Sequence, residues 1–232
     1  LAGGMSTDRA GTTDGFARRL LLVASIAASA GLSAALAGWA AQRVAGNRMA
    51  PWIIGRAAGV TAYLLLVVLV LLGLLLSHPW RTRITRPSST TRIRLHVVLA
   101  VFTLAFIVLH VAVLATDSYA GIGWRGWLVP MGAQYRPVAT TLGLVGLWSG
   151  LLAGITAGWS GHLPLRLWWP IHKVSSVSLL LIWLHGVFGG SDSSALTAMY
   201  LITAGLVLIA AVGRYTARTP RDQLIELTES GR

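Results

Sequence analysis

Residues 94–115 read RLHVVLAVFTLAFIVLHVAVLA and residues 170–188 read PIHKVSSVSLLLIWLHGVF. Each is an apolar run of membrane-spanning length carrying two histidines, His96 and His110 in the first, His172 and His185 in the second. An ionisable side chain inside a bilayer is unfavourable enough that its presence points to a task. At about 1.5 Å rise per helical residue, His96 to His110 covers about 21 Å and His172 to His185 about 19.5 Å. Two such helices side by side offer two histidine pairs at two depths of a hydrocarbon core about 30 Å thick. That is what two stacked, bis-histidine haems require.

Composition agrees with a membrane setting. Only 11% of the 232 residues are charged and 55% are hydrophobic, against about 25% charged in an ordinary soluble domain. The net charge of +12 does not point to nucleic acid, because the arginines lie between apolar runs and form no continuous basic face. The absence of cysteine excludes disulfides, thiolate-ligated haem and cysteine-bound iron–sulfur clusters. An arginine-dominated, Ala- and Gly-rich composition hints at a GC-rich bacterial genome, hence a bacterial plasma membrane.

Working outward, the expected fold class is all-α, an integral membrane bundle of six transmembrane helices. Residues 1–17 are expected to be a flexible cytoplasmic N-terminus, 18–213 the haem-binding transmembrane domain, and 214–232 a short cytoplasmic tail. The first span follows Arg18 and Arg19 as LLLVASIAASAGLSAALAGWAA. Basic residues leading into an apolar stretch also suit a signal peptide, but the run is long enough to span, which favours a retained helix. The remaining spans are expected at about Pro51–Ser77, Leu95–Ala115, Val138–Trp159, Ile171–Gly189 and Ser194–Gly213. Strands have no place in this reading.

Orientation follows from the basic residues. With the N-terminus inside, fourteen of nineteen fall on the inner side and five, Arg43, Arg48, Arg56, Arg125 and Arg136, on the outer. This split predicts both termini in the cytoplasm. Trp39, Trp52, Trp124 and Trp127 then lie at outer ends, and Trp80, Trp159, Trp168 and Trp169 at inner ends, as an aromatic belt would.

The two histidine-bearing helices, third and fifth, run in the same direction. His96 is therefore expected to meet His172 at the inner face, and His110 to meet His185 toward the outer face. Two imidazoles fill both axial positions of a haem iron, leaving a centre suited to passing electrons. One detail does not fit an ideal helix. At about 100° per residue, His110 returns to within about 40° of His96, but His185 lies about 140° from His172. The first turn after Pro170 or a local bulge is the natural place for that difference to be absorbed. A single histidine in a span is ordinarily a hydrogen-bonding member of a helix interface, but two segments matched in spacing and depth argue for ligation. His78 and His162 lie at inner boundaries and read as solvated interfacial side chains. All seven carboxylates lie outside the spans, which disfavours a proton-coupled transporter.

The pattern resembles the ferric reductase-like transmembrane domain superfamily, which includes the membrane parts of NADPH oxidases and ferric reductases and the haem subunit of bacterial methionine sulfoxide reductase systems. The resemblance covers about Pro51 to Gly213. It rests on the four-histidine spacing, on TRPSSTTRIRLH (85–96), on YRPVATTLGLVGLWSGLLAG (135–154) and on LRLWWPIHKVSSVSLLLIWLH (165–185). It implies that His96, His172, His110 and His185 are axial ligands of two b-type haems carrying electrons across the membrane. Unlike the oxidases, this sequence shows no Gly-rich phosphate loop and no flavin or nicotinamide site. The expected donor is therefore a separate cytoplasmic or membrane partner, a flavoprotein or quinol, and the acceptor lies on the outer side. No catalytic residue is assigned; the chain is expected to be an oxidoreductase component. A quinol-oxidising cytochrome b subunit of a larger complex is the nearest rival reading, and a haem-free transporter or assembly protein the rival from another class.

Three further features carry expectations. Gly146, Gly150, Gly154 and Gly158 bare one face of the fourth span, for close helix packing or for a haem edge, and Gly55 with Gly59 does so on the second. Arg83, Arg86, Arg92, Arg94 and Lys173 are expected to set topology and contact lipid headgroups, with some free to neutralise haem propionates. In the outer loop, Tyr119, Trp124, Arg125, Trp127 and Arg136 either cap the outer haem or anchor the loop at the interface.

Overall fold

The long apolar runs fold as helices because a chain in lipid must satisfy its backbone polar groups internally. The structure is a computed structural model and describes residues 46–118 and 121–217. The expected first span, the 1–17 terminus, Tyr119 and the tail beyond 217 lie outside the described residues. The chain divides into two units, Leu1–Ala50 and Pro51–Arg232, and the histidine helices belong to the second.

Five helices are long and apolar enough to cross a membrane: α1 (Ala50–Ser77), α2 (Ser89–Thr116), α4 (Pro137–Gly158), α5 (Leu165–Gly189) and α6 (Thr197–Thr216). A short helix, α3 (Gly123–Leu128), lies between α2 and α4. No strand occurs among the described residues. The all-α expectation therefore holds for them, with five spans of membrane-protein character. Large apolar side chains face outward along the helices, Ile209 at 72% and Leu208 at 65% exposure. In water such a surface would drive association; against acyl chains it is the expected exterior.

Several hydroxyl side chains inside the spans are satisfied within their own helices. Thr61 donates to the Ala57 carbonyl, Thr103 to Leu99 and Ser149 to Val145, the back-bond that lets such residues sit in an apolar helix.

The helix ends differ from the expected boundaries for legible reasons. α2 begins six residues early because Ser88 caps it, its hydroxyl accepting the Thr91 N–H at 3.2 Å. Arg92, expected among lipid headgroups, is buried at 4% exposure. Its guanidinium donates to the Ile84 carbonyl at 3.0 Å and the Arg81 carbonyl at 3.4 Å, fastening the turn before α2. α5 begins at Leu165 and contains Pro170. The ring supplies no N–H for the Arg166 carbonyl, so one helical bond is missing there.

A buried cluster of Tyr63, Val67, Leu179 and Tyr200 joins α1, α5 and α6. Polar links fix its register: Tyr63 shares a short hydroxyl–hydroxyl bond with Thr203, and the Trp183 indole donates to the Tyr200 carbonyl at 3.2 Å. Between α4 and α5, Ser178 donates to the Gly146 carbonyl at 2.6 Å. Each such bond between helices in a membrane contributes about 0.6–2 kcal/mol.

Candidate functional site

Two antiparallel seams position the histidines. On α1 and α2, a Cβ added at Gly59 would lie 2.7 Å from His110 Nδ1, and one added at Gly73 would lie 3.3 Å from His96. Gly59 and Gly73 are fourteen residues apart, as are His110 and His96, so one geometry is used twice along the pair. The carbonyl four residues before Gly59 serves the same histidine. His110 Nδ1 lies 2.6 Å from the Gly55 carbonyl. The Leu69 carbonyl stands at the same offset from Gly73, and His96 Nδ1 is buried without a hydrogen-bond partner.

The second seam follows the same rule at its His185 end. His185 Nδ1 lies 2.7 Å from the Ala139 carbonyl, and a Cβ at Gly143 would meet it at 2.7 Å. Seven residues earlier on α5, Ser178 repeats the contact with the Gly146 carbonyl and with Gly150. A carbonyl can only accept, so His110 and His185 donate through Nδ1. The tautomer that follows leaves each Nε2 with a free lone pair, as a metal ligand needs.

The structure brings His96 beside His172, ring centres 6.4 Å apart, and His110 beside His185, ring centres 6.2 Å apart. The size of that gap is informative. A direct imidazole–imidazole hydrogen bond of about 2.9 Å would put the centres about 5.1 Å apart. A metal midway between two rings, with bonds of about 2.0–2.1 Å and each ring centre about 1.1 Å behind its nitrogen, gives about 6.3 Å. Both pairs have the second spacing and not the first. The ring planes cross at 62° in the first pair and 79° in the second.

His110 and His185 face a largely apolar cavity of about 1270 Å³, its open mouth included. All six helices contribute to its wall, among them Trp52, Arg56 and Tyr63 from α1, Trp127 from α3 and Tyr200 from α6. Arg56 forms an ion pair with Asp192 in the turn after α5. Its Nε and the indole Nε1 of Trp127 are buried without hydrogen-bond partners. Tyr135 and Arg136 close the same end: the Tyr135 hydroxyl donates to the Gly189 carbonyl at 3.1 Å, and Arg136 donates to the Phe188 and Gly190 carbonyls at 2.6 and 3.2 Å. A cation at the last carbonyls of α5 also suits the helix dipole. Arg136 holds φ +40°, a left-handed conformation that persists only where surrounding bonds hold it.

Of the other expected participants, His78 sits in the turn after α1, its Nδ1 accepting the Trp80 N–H at 3.1 Å. His162 is exposed between α4 and α5. Trp124 is 54% exposed and Arg136 is exposed as well, so within one loop Trp127 turns toward the cavity while Trp124 anchors outward. Gly146 and Gly150 receive α5, and Gly154 and Gly158 meet nothing within 4 Å. Of the glycines that touch the histidines, Gly59 was expected to serve close approach and does, while Gly73 and Gly143 were not singled out from the sequence; the signal was the fourteen-residue interval shared by α1 and α2.

Among the described residues no three of His, Cys, Asp and Glu cluster as a metal site. A bare zinc ion needs three or four protein ligands, whereas a porphyrin brings four nitrogens and asks the protein for two axial ones. The residues present fit the second case. Compared with protein-family models, characterised proteins and solved structures, the chain matches none.

Proposed function

We propose that this protein is a dihaem b-type cytochrome of the ferric reductase-like kind that moves single electrons across a membrane. The observation that carries the reading is the pair of histidine couples, at 6.4 and 6.2 Å between ring centres, set about 21 Å apart along α2 by fourteen residues of rise. In this reading the chain has six spans with both termini in the cytoplasm, and His96 and His172 mark the inner face.

His96 and His172 would hold one haem, and His110 and His185 the other. Bound there, haem supplies a one-electron couple, Fe(III) taking one electron to become Fe(II). The chain's residues do the rest. The Gly55 and Ala139 carbonyls fix the outer imidazoles in the ligating tautomer. Gly59 and Gly143 let the α1 and α4 backbones approach those rings. Arg56 and Trp127 offer N–H donors to the haem carboxylates on the outer cavity wall. The apolar wall keeps water and protons from the metal, so the electron travels without chemistry on this chain.

The donor, a flavoprotein or quinol, would meet the inner face and the acceptor the outer one. Arg81, Arg83, Arg86, Arg94, Arg166 and Lys173 are all exposed at the inner end, which supports docking of an acidic donor surface with on-rates that fall as salt rises. The purified protein tests the reading by absorption. Soret and alpha bands that sharpen and shift on adding dithionite are expected; a spectrum of aromatic side chains alone contradicts it. Reduction by quinol but not by a reduced flavoprotein would move the chain to the quinol-oxidising class.

A further inference from the structure

His110 and His185 obey one rule in full, a backbone carbonyl of the neighbouring helix on Nδ1 and a glycine four residues on, and His96 keeps the glycine at Gly73 while its Nδ1 has no hydrogen-bond partner. His172 breaks the rule. The α5 track that faces α4 runs through His185 and Ser178 in steps of seven and continues to residue 171, so His172 stands one residue, about 100°, beyond it. At that level of α4 the carbonyls are engaged, since Thr156 donates to Leu152 at 2.7 Å and to Ala153 at 3.2 Å. His172 Nδ1 is buried with no hydrogen-bond partner. Instead the ring lies against Trp168, one turn earlier on its own helix, with centres 5.4 Å apart and planes 20° from parallel. Trp168 in turn packs on Trp169, over which Lys173 is placed.

We propose that Trp168 is the positioning residue of the inner site, fixing the His172 ring by stacking where both outer ligands are fixed by carbonyls, and that this sets the inner haem at a higher reduction potential than the outer one. The inference rests on the dihaem reading above. Its sign follows from ligand basicity. An imidazole whose Nδ1–H is bonded to a carbonyl donates more electron density to its metal, which favours Fe(III) and lowers the potential. Both outer histidines have that bond; neither inner one does, and the His172 ring is held by stacking instead. Lys173 beside the inner site adds positive charge, which also favours the reduced state.

The test is a spectroelectrochemical titration of the full-length protein, wild type and variants, followed at the alpha band. Wild type should titrate in two one-electron waves. In His110→Ala only the inner haem remains, and its wave should be the higher of the two. Trp168→Leu frees the His172 ring and opens Nδ1–H to water. Its inner wave should fall toward the outer one by about tenfold in equilibrium constant, about 59 mV for one electron, with the outer wave unmoved. Trp168→Phe keeps an aromatic face and should restore the wild-type inner wave. The proposal is overturned if Trp168→Leu leaves the inner wave in place or moves both waves together. If Trp168→Leu sheds the inner haem, Trp168→Phe decides: retention at the wild-type potential supports stacking, and a displaced wave overturns it. Failure of the dihaem reading has a different signature, the absence of any haem wave in the wild type.

Discussion

At the scale of single residues, glycine is the partner each outer histidine needs. The α1 backbone can lie against His110 only because position 59 has no side chain, and the same holds for position 143 and His185. Gly59→Ala and Gly143→Ala are each expected to displace the ring from its carbonyl and remove most of the outer haem. Gly154→Ala, facing nothing within 4 Å, should leave both haems bound. Haem-to-protein ratios by pyridine haemochrome check this directly, and equal retention in all three variants would show that the close approach is incidental. The crossed ring planes, 62° and 79°, carry their own expectation. Two axial imidazoles that are far from coplanar leave the iron's two π-type d orbitals close in energy. Both ferric centres should then give low-spin, strongly anisotropic electron paramagnetic resonance signals, the outer pair more extreme than the inner. A rhombic signal of the coplanar type from the outer haem would refute the geometry.

At the scale of elements, the order of the segments and the meeting of His96 with His172 and His110 with His185 were legible, because two helices entering from the same side must align first with first. The lengths of α1 and α4 were legible too, since uninterrupted apolar runs leave no other structure for lipid. What the sequence hid was local. Pro170 reads as a boundary, yet α5 passes through it, because one missing backbone bond near a helix start is a small loss against a helix of 25 residues. The account of His172 was hidden for the same reason: an ideal-helix angle ignores that Trp168, not α4, holds the ring. Arg92 counted as one more interfacial cation until its carbonyl partners could be seen. The seams themselves make a stability prediction. Ser178→Ala removes the bond to the Gly146 carbonyl and should cost about 0.6–2 kcal/mol, read as a lower midpoint of unfolding in detergent. Tyr63→Phe and Thr203→Val remove the two sides of one bond, so a double-mutant cycle should show them strongly non-additive; simple additivity would deny the link between α1 and α6.

For the whole molecule, the proposed function makes the arrangement an insulated path: apolar helices outside, two histidine couples inside, cations gathered at the end that holds His96 and His172. Because the chain contains no cysteine, its orientation is open to a clean test. Cysteine placed at Ser160, exposed between α4 and α5, should react with an impermeant maleimide only from the cytoplasmic side, and cysteine at Ser194, exposed before α6, only from outside. The reverse pattern would exchange inner for outer throughout. The central claim, that two pairs of imidazoles each grip one haem, is tested most directly by counting haem in single variants of all six histidines and in double variants within and across the pairs. The account predicts two haems in the wild type and one when any of His96, His172, His110 or His185 becomes alanine. It further predicts one haem, not none, when both members of a pair are replaced, and none when one from each pair is replaced. Loss of haem on changing His78 or His162, or a wild type that binds none, would contradict it.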